Sequence, residues 1–273
     1  MNTLFMLPNT EMLALQVENG VATITLQRPT VHNAFNAQLI TELHLVCDAI
    51  RASSDIRVVI LSGSGKNFSA GADLNWMQQQ GEASEAENQA DALKLANMLR
   101  ALATLPQPTI ARVQGAAIGG GLGLVSACDM AVAADNATFA TSEVRLGLIP
   151  ATIAPYVIRA IGERQAYRYF QTAERFDALT ALRIGLLHEV TTPEALDTVV
   201  QQLVSSLLAG APVAQTACKA LIRDIGRTLL SDECLADTAS RIAKHRSSAE
   251  GREGLAAFLE KRPAAWTLPP SKS

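Results

Sequence analysis

The chain has 273 residues, 48% of them hydrophobic and 18% charged, and a formal net charge of −3. With a pI of about 5.8, it carries no electrostatic footprint for non-specific binding to nucleic acid or an anionic membrane. Its length suits one large core domain with a helical appendage. No uninterrupted apolar run reaches the roughly 18 residues needed to span a bilayer. The first eight residues read as neither a secretory nor a mitochondrial leader. Four scattered cysteines without a C-x-x-C pair read as reduced thiols, so a cytoplasmic location is expected. The four histidines lack ligand spacing, and no metal is expected.

In chain order, Met12–Val17 alternates, Asn19-Gly20 turns, and Val21–Leu26 alternates again, which predicts a hairpin. Asn36 is placed to cap a helix through about Arg51, with Leu39, Ile40, Leu43, Val46 and Ile50 on one stripe. Val58–Leu61 reads as a buried strand running into a Gly/Ser-rich loop at 62–71. The polar stretch Gln78–Asp91 is expected to be mobile or partly ordered before a helix bearing Leu95, Leu99 and Leu102. Thr109–Val113 reads as a strand, Leu122–Cys128 as a short helix and Met130–Ala134 as another strand. Beyond about Ala151 the pattern turns helical, at 153–161, 177–184, 194–209, 213–225, 232–245 and 249–259, apart from a short run at 188–190. This alternation predicts an α/β core over residues 1–200 and a helical region over 201–273.

Two glycine-rich segments carry the chemistry. One is Phe68-Ser-Ala-Gly-Ala-Asp-Leu74, after the predicted strand ending at Leu61; the other is Gln114–Gly121, opening a short helix. Small residues let a ligand approach the backbone, and helix starts leave N–H groups unpaired. Two such amides converging on one point would form an oxyanion hole. Taken singly, each loop fits plain tight packing as well. Gly121-Leu-Gly123-Leu-Val-Ser126 also comes near a dinucleotide fingerprint, but its last position is serine and the helix is short. Gly63-Ser-Gly65-Lys66 lacks the spacing of a phosphate-binding P-loop.

Together, Arg28-Pro29 with His32-Asn33-Ala34, the segments at 68–74 and 114–121, Cys128-Asp129 and Ser142-Glu143-Val-Arg-Leu-Gly147-Leu-Ile-Pro150 resemble the enoyl-CoA hydratase/isomerase (crotonase) superfamily over nearly the whole chain. The resemblance implies a spiral of ββα turns with a helical C-terminal oligomerisation region, assembled as a homotrimer or hexamer. It implies an acyl-CoA substrate and no separate cofactor, since CoA arrives within the thioester. Residue by residue, it makes the Ala72 and Gly120 amides the oxyanion hole and Glu143 the catalytic acid/base. It also places Ala70, Asp73, Leu74, Asn75, Gly119 and Gly123 against substrate or CoA.

Hydratases of this family typically carry a second glutamate two residues after the triple glycine, where this chain has Gly123. A glycine there is expected to leave room for a β-branched substrate. Asp73-Leu-Asn-Trp-Met77, the Gly123 variant and Ala257–Trp266 resemble the methylglutaconyl-CoA and isohexenylglutaconyl-CoA hydratase group, which acts on branched, carboxylated enoyl-CoAs. A Δ3,Δ2-enoyl-CoA isomerase, needing one glutamate, is the alternative within the fold. RNA binding, known for a relative of this group, is the alternative from another class; the acidic balance and the lack of a Lys/Arg cluster argue against it.

Overall fold

The structure is a computed structural model describing residues 8–226 and 228–267. The leader reading therefore lies, except for Pro8, outside the described residues. The hairpin forms from β1 (Leu13–Glu18) and β2 (Val21–Leu26). Glu18 pairs with Val21 across Asn19 and Gly20. Their φ values of 49° and 78° are the left-handed pair that a two-residue loop of this hand requires. In α1 (Ala37–Ala52), Asn36 accepts the Leu39 N–H at 2.9 Å, and the expected stripe is buried. β3 (Val58–Gly63) is buried along its length.

The stretch Gln78–Asp91 is built into two helices, α2 (Leu74–Glu82) and α3 (Glu85–Ala103), contrary to expectation. The reason is a capping box. Ser84 accepts the Glu87 N–H, and the Glu87 carboxylate accepts the Ser84 N–H, which satisfies two orphan donors reciprocally.

Then come β4 (Thr109–Val113), β5 (Ala116–Ile118), α4 (Gly120–Ala127), β6 (Met130–Ala134) and β7 (Thr138–Ala140). α5 (Ala154–Thr172) is broken at Gly162, whose φ of 74° and ψ of 158° are not helical, so its first part ends at Ile161 as expected and a second helical part runs on to Thr172. The remaining elements are β8 (Phe176–Asp177), α6 (Ala178–Arg183), β9 (Glu189–Thr191), α7 (Leu196–Ala209), α8 (Pro212–Ile225), α9 (Asp232–Arg246) and α10 (Ala249–Glu260).

One sheet has the order β1-β2-β3-β4-β6-β9, parallel from β2 onward. A second has the order β5-β7-β8, with β5 and β7 parallel. Phe35, Leu39, Leu61, Phe68, Leu99, Leu124 and Phe139 belong to one buried cluster. Burying each such side chain stabilises the fold by about 1.5–3 kcal/mol. The chain divides into two compact units. One runs to Leu105 and from Thr109 to Gln201; the other comprises Pro106–Pro108 and the chain from Gln202. No described helix is long and apolar enough to cross a membrane.

Candidate active site

Ala72, Gly120 and Glu143 lie on segments that follow the carboxyl ends of β3, β5 and β7, the end at which parallel sheets open their crevices. A single bridge joins Phe35 to Ala72. The Phe35 N–H donates to the Gly71 carbonyl at 2.6 Å, and the Asp73 N–H donates to the Phe35 carbonyl at 2.8 Å. Both bonds come from residues flanking Ala72, so its own N–H points away from the bridge. Among the described residues, that N–H donates no backbone hydrogen bond.

Gly120 is the first residue of α4, where an N–H has no intrahelical acceptor. Gly119 precedes it at φ 51°, ψ −117°, a conformation open to glycine. Gly71, at φ 89°, lets the two loops touch. A methyl group on it would lie 2.8 Å from the Ile118 carbonyl oxygen and 3.7 Å from the Gly120 nitrogen. The two free amides are therefore neighbours.

Glu143 opens a short 3-10 turn after β7. Pairing of Ile118 with Ala140, extended by the Gly119 N–H donating to the Ala140 carbonyl at 2.9 Å, sets the register. It brings Glu143 Oε1 to 3.1 Å from where a Gly119 methyl would stand. Oε2 is buried without a hydrogen-bond partner. Burial pushes the Glu143 carboxyl up, against the weaker pull of its own backbone hydrogen bond. A carboxyl that holds its proton more tightly than usual, against the residue that precedes the Gly120 amide, suits proton exchange next to a developing oxyanion.

The other expected site residues divide. Ala70 is exposed and lines a cleft of about 540 Å³. Leu74 and Asn75 lie on the first turn of α2 with exposed side chains. The Asp73 carboxylate is committed within the chain. It accepts Arg28 Nη2 at 2.9 Å and the Asn75 N–H at 3.0 Å, and so caps α2. Arg28 also donates to the Ala34 carbonyl. Asp73 thus holds the loop that carries the Ala72 amide. Burial raises the Asp73 pKa, but the Arg28 hydrogen bond, the Asn75 and Trp76 amides and the Arg28 charge together bring it below the usual carboxylate range.

Asp73→Ala is expected to cost about 3 kcal/mol at neutral pH, because it leaves Arg28 partly buried and unpaired. A group with a lowered folded pKa contributes stability above its unfolded pKa and loses it as pH falls through the folded value. The gap between variant and wild type in urea titrations should therefore shrink below about pH 4.

Gly123 requires a correction. It is buried, and a methyl on it would lie 2.3 Å from Ile153 Cγ2. The expected space for a substrate branch is filled by Ile153, itself only 2% exposed. Sequence reasoning had no means of pairing these two positions.

Sequence reasoning also missed the basic lining of the cleft. His32, Lys66, Arg145 and Arg175 lie around it with Ala70 and Ile118, and no acidic side chain lines it. Lys66, Arg145 and Arg175 form no ion pair among the described residues. Lys66 was legible as a lysine in a loop after a strand. Arg175 gives no signal, since it reaches the cleft only through the fold. No grouping of metal-ligating side chains occurs among the described residues.

Neighbouring loop amides at the ends of parallel strands, with a half-buried glutamate packed against Gly119, form the arrangement expected of a crotonase-like oxyanion site. A family profile described as Enoyl-CoA hydratase/isomerase matches residues 16–269. The short-chain-enoyl-CoA hydratase of Clostridium acetobutylicum is 33% identical over 250 residues, 91% of this chain and 94% of that protein. The crotonyl-CoA hydratase of Syntrophomonas wolfei is 32% identical, covering 93% of this chain and 97% of that one. The crystal structure of an enoyl-CoA hydratase from Shewanella pealeana superposes with a TM-score of 0.91 at 43% identity, over 94% of this chain and 96% of that chain. The chain belongs to the enoyl-CoA hydratase/isomerase family and is a hydratase-type lyase.

Proposed function

We propose that the protein adds water to a branched, carboxylated α,β-unsaturated acyl-CoA, with 3-methylglutaconyl-CoA the leading candidate, using Glu143 as its one acid/base. The observation that carries the mechanism is the Glu143 carboxylate, half-buried with Oε2 unpartnered and packed against Gly119, the residue before the Gly120 amide. Glu143 takes a proton from water as the water oxygen bonds to the β-carbon. The C=C electron pair moves to the α-carbon, and the enolate charge falls on the thioester oxygen between the two amides. Glu143 then returns that proton to the α-carbon. Hydrogen and hydroxyl thus both come from one water, and the glutamate ends as it began.

The acid-free lining of the cleft with three unpaired cations supports a polyanionic ligand such as CoA, with Ala70 beside it. The motifs at 73–77 and 257–266 support the branched substrate. Assembly into trimers or hexamers is part of the proposal. It is supported by the exposed Ile222, Leu255, Phe258 and Leu259 on α8 and α10.

The test follows the α,β-unsaturated thioester absorbance with 3-methylglutaconyl-CoA, crotonyl-CoA and a 3-enoyl-CoA. Loss of absorbance with the first and little with the second is expected. A rise with the 3-enoyl substrate alone would make the protein an isomerase instead, with Glu143 shuttling a single proton.

A further inference from the structure

Resting on the reading of the cleft as a coenzyme A site, we infer that Asn67 fixes His32 as an uncharged hydrogen-bond donor on the cleft, where its Nε2–H reads a phosphoryl oxygen of the ligand. The Asn67 side chain decides where the imidazole proton sits. Its Oδ1 accepts the Ala116 N–H at 2.9 Å. A main-chain N–H can only donate, so that oxygen cannot trade places with the side-chain nitrogen. Nδ2 is therefore the atom that meets His32 Nδ1 at 3.0 Å. An amide nitrogen also only donates, and a ring nitrogen that accepts carries no proton. The proton is left on Nε2.

The surrounding chain holds this pair in place. Asn33, fully buried, donates from Nδ2 to the Ser64 and Asn67 carbonyls at 2.8 Å each. The His32 carbonyl accepts the Ala70 N–H at 2.9 Å, which ties the histidine to a second residue of the cleft wall. The His32 side chain is exposed, and among the described residues its one hydrogen bond is that to Asn67. It shares the cleft with Lys66, Arg145 and Arg175 and with no acid. Those three charges attract a polyanion at a distance and from any direction. The histidine adds a donor with one direction and no charge, a contact made only when a phosphoryl oxygen lines up with Nε2–H.

The experiment combines ring-nitrogen NMR spectra of His32 with calorimetric titration of coenzyme A. In the free protein the ring should carry its proton on Nε2 alone. In N67D the carboxylate still accepts the Ala116 N–H but has no donor for the ring, and a proton should appear on Nδ1. Coenzyme A should shift the Nε2 signal, and pantetheine, which has no phosphoryl group, should leave it in place. H32G adopts the φ of 54° at this position without strain and should bind coenzyme A about tenfold more weakly, at low and high salt alike. The loss in K66A or R175A should instead shrink as salt rises. A wild-type ring protonated on Nδ1, an H32G protein of unchanged affinity, or an equal shift with pantetheine would each overturn the inference. A wild type that binds no coenzyme A would overturn the reading of the cleft itself. None of these outcomes depends on whether the protein hydrates or isomerises its substrate.

Discussion

Glu143→Gln is expected to lower kcat by about 10³-fold while raising the melting temperature. The loss follows from removing the single group proposed to move the proton, since a positioned acid or base contributes typically about 10²–10⁴-fold. The gain follows from where the carboxylate sits. Its pKa is raised by burial, so the folded state holds the proton more tightly than the unfolded chain does. Below the unfolded pKa both states are protonated and the group is neutral in its effect. As pH rises toward the folded pKa, the unfolded chain ionises first, and stability falls until the folded group ionises too. At neutral pH the ionised Glu143 therefore works against folding, and glutamine removes that cost. Relief on the order of 1 kcal/mol corresponds to roughly 2–4 °C for a chain of this size. The same shift places the acid limb of wild-type kcat/KM above the ordinary glutamate range. Calorimetry and a pH–rate profile check both halves. A glutamine variant with near-normal turnover would remove Glu143 from the mechanism.

Ala72→Pro is expected to reduce kcat by about 10²–10³-fold, the effect of losing one oxyanion donor. Proline lacks the N–H but keeps the carbonyl. The bridge to Phe35 uses the Gly71 carbonyl and the Asp73 N–H, so no protein hydrogen bond is lost. The fall should appear in kcat more than in KM, because the donor matters most when charge develops on the thioester oxygen. Steady-state kinetics beside circular dichroism measure it. A folded variant with unchanged kcat would show that the Ala72 amide does not face the reaction.

The hairpin and α1 were legible because their signals are local: two left-handed turn residues, a cap, and a stripe of five apolar positions. The two site loops were legible because glycines cluster where backbone must approach backbone. Other features were misread or missed for identifiable reasons. Ser84-x-x-Glu87 was present as a capping signal, but the surrounding polarity outweighed it. The strands β5, β7 and β8, three residues or fewer, are too short to show alternation. Gly123 looked like vacant space because its neighbour, Ile153, comes from another element altogether. Arg175 belongs to the same class: its place on the cleft is a property of the fold and of no sequence window.

The proposed oxyanion site is made of main chain, and this determines how the protein can change. Alanine scanning would pass over Ala72 altogether, and at Gly120 it would report a clash with the Phe35 ring rather than a lost donor. Descendants of this sequence can therefore exchange Glu143 or the cleft cations and take up new reactions, while the amides persist without any side chain to mutate. In this architecture the capacity to hold an anion is inherited with the fold, and the choice of reaction is left to the few side chains around it.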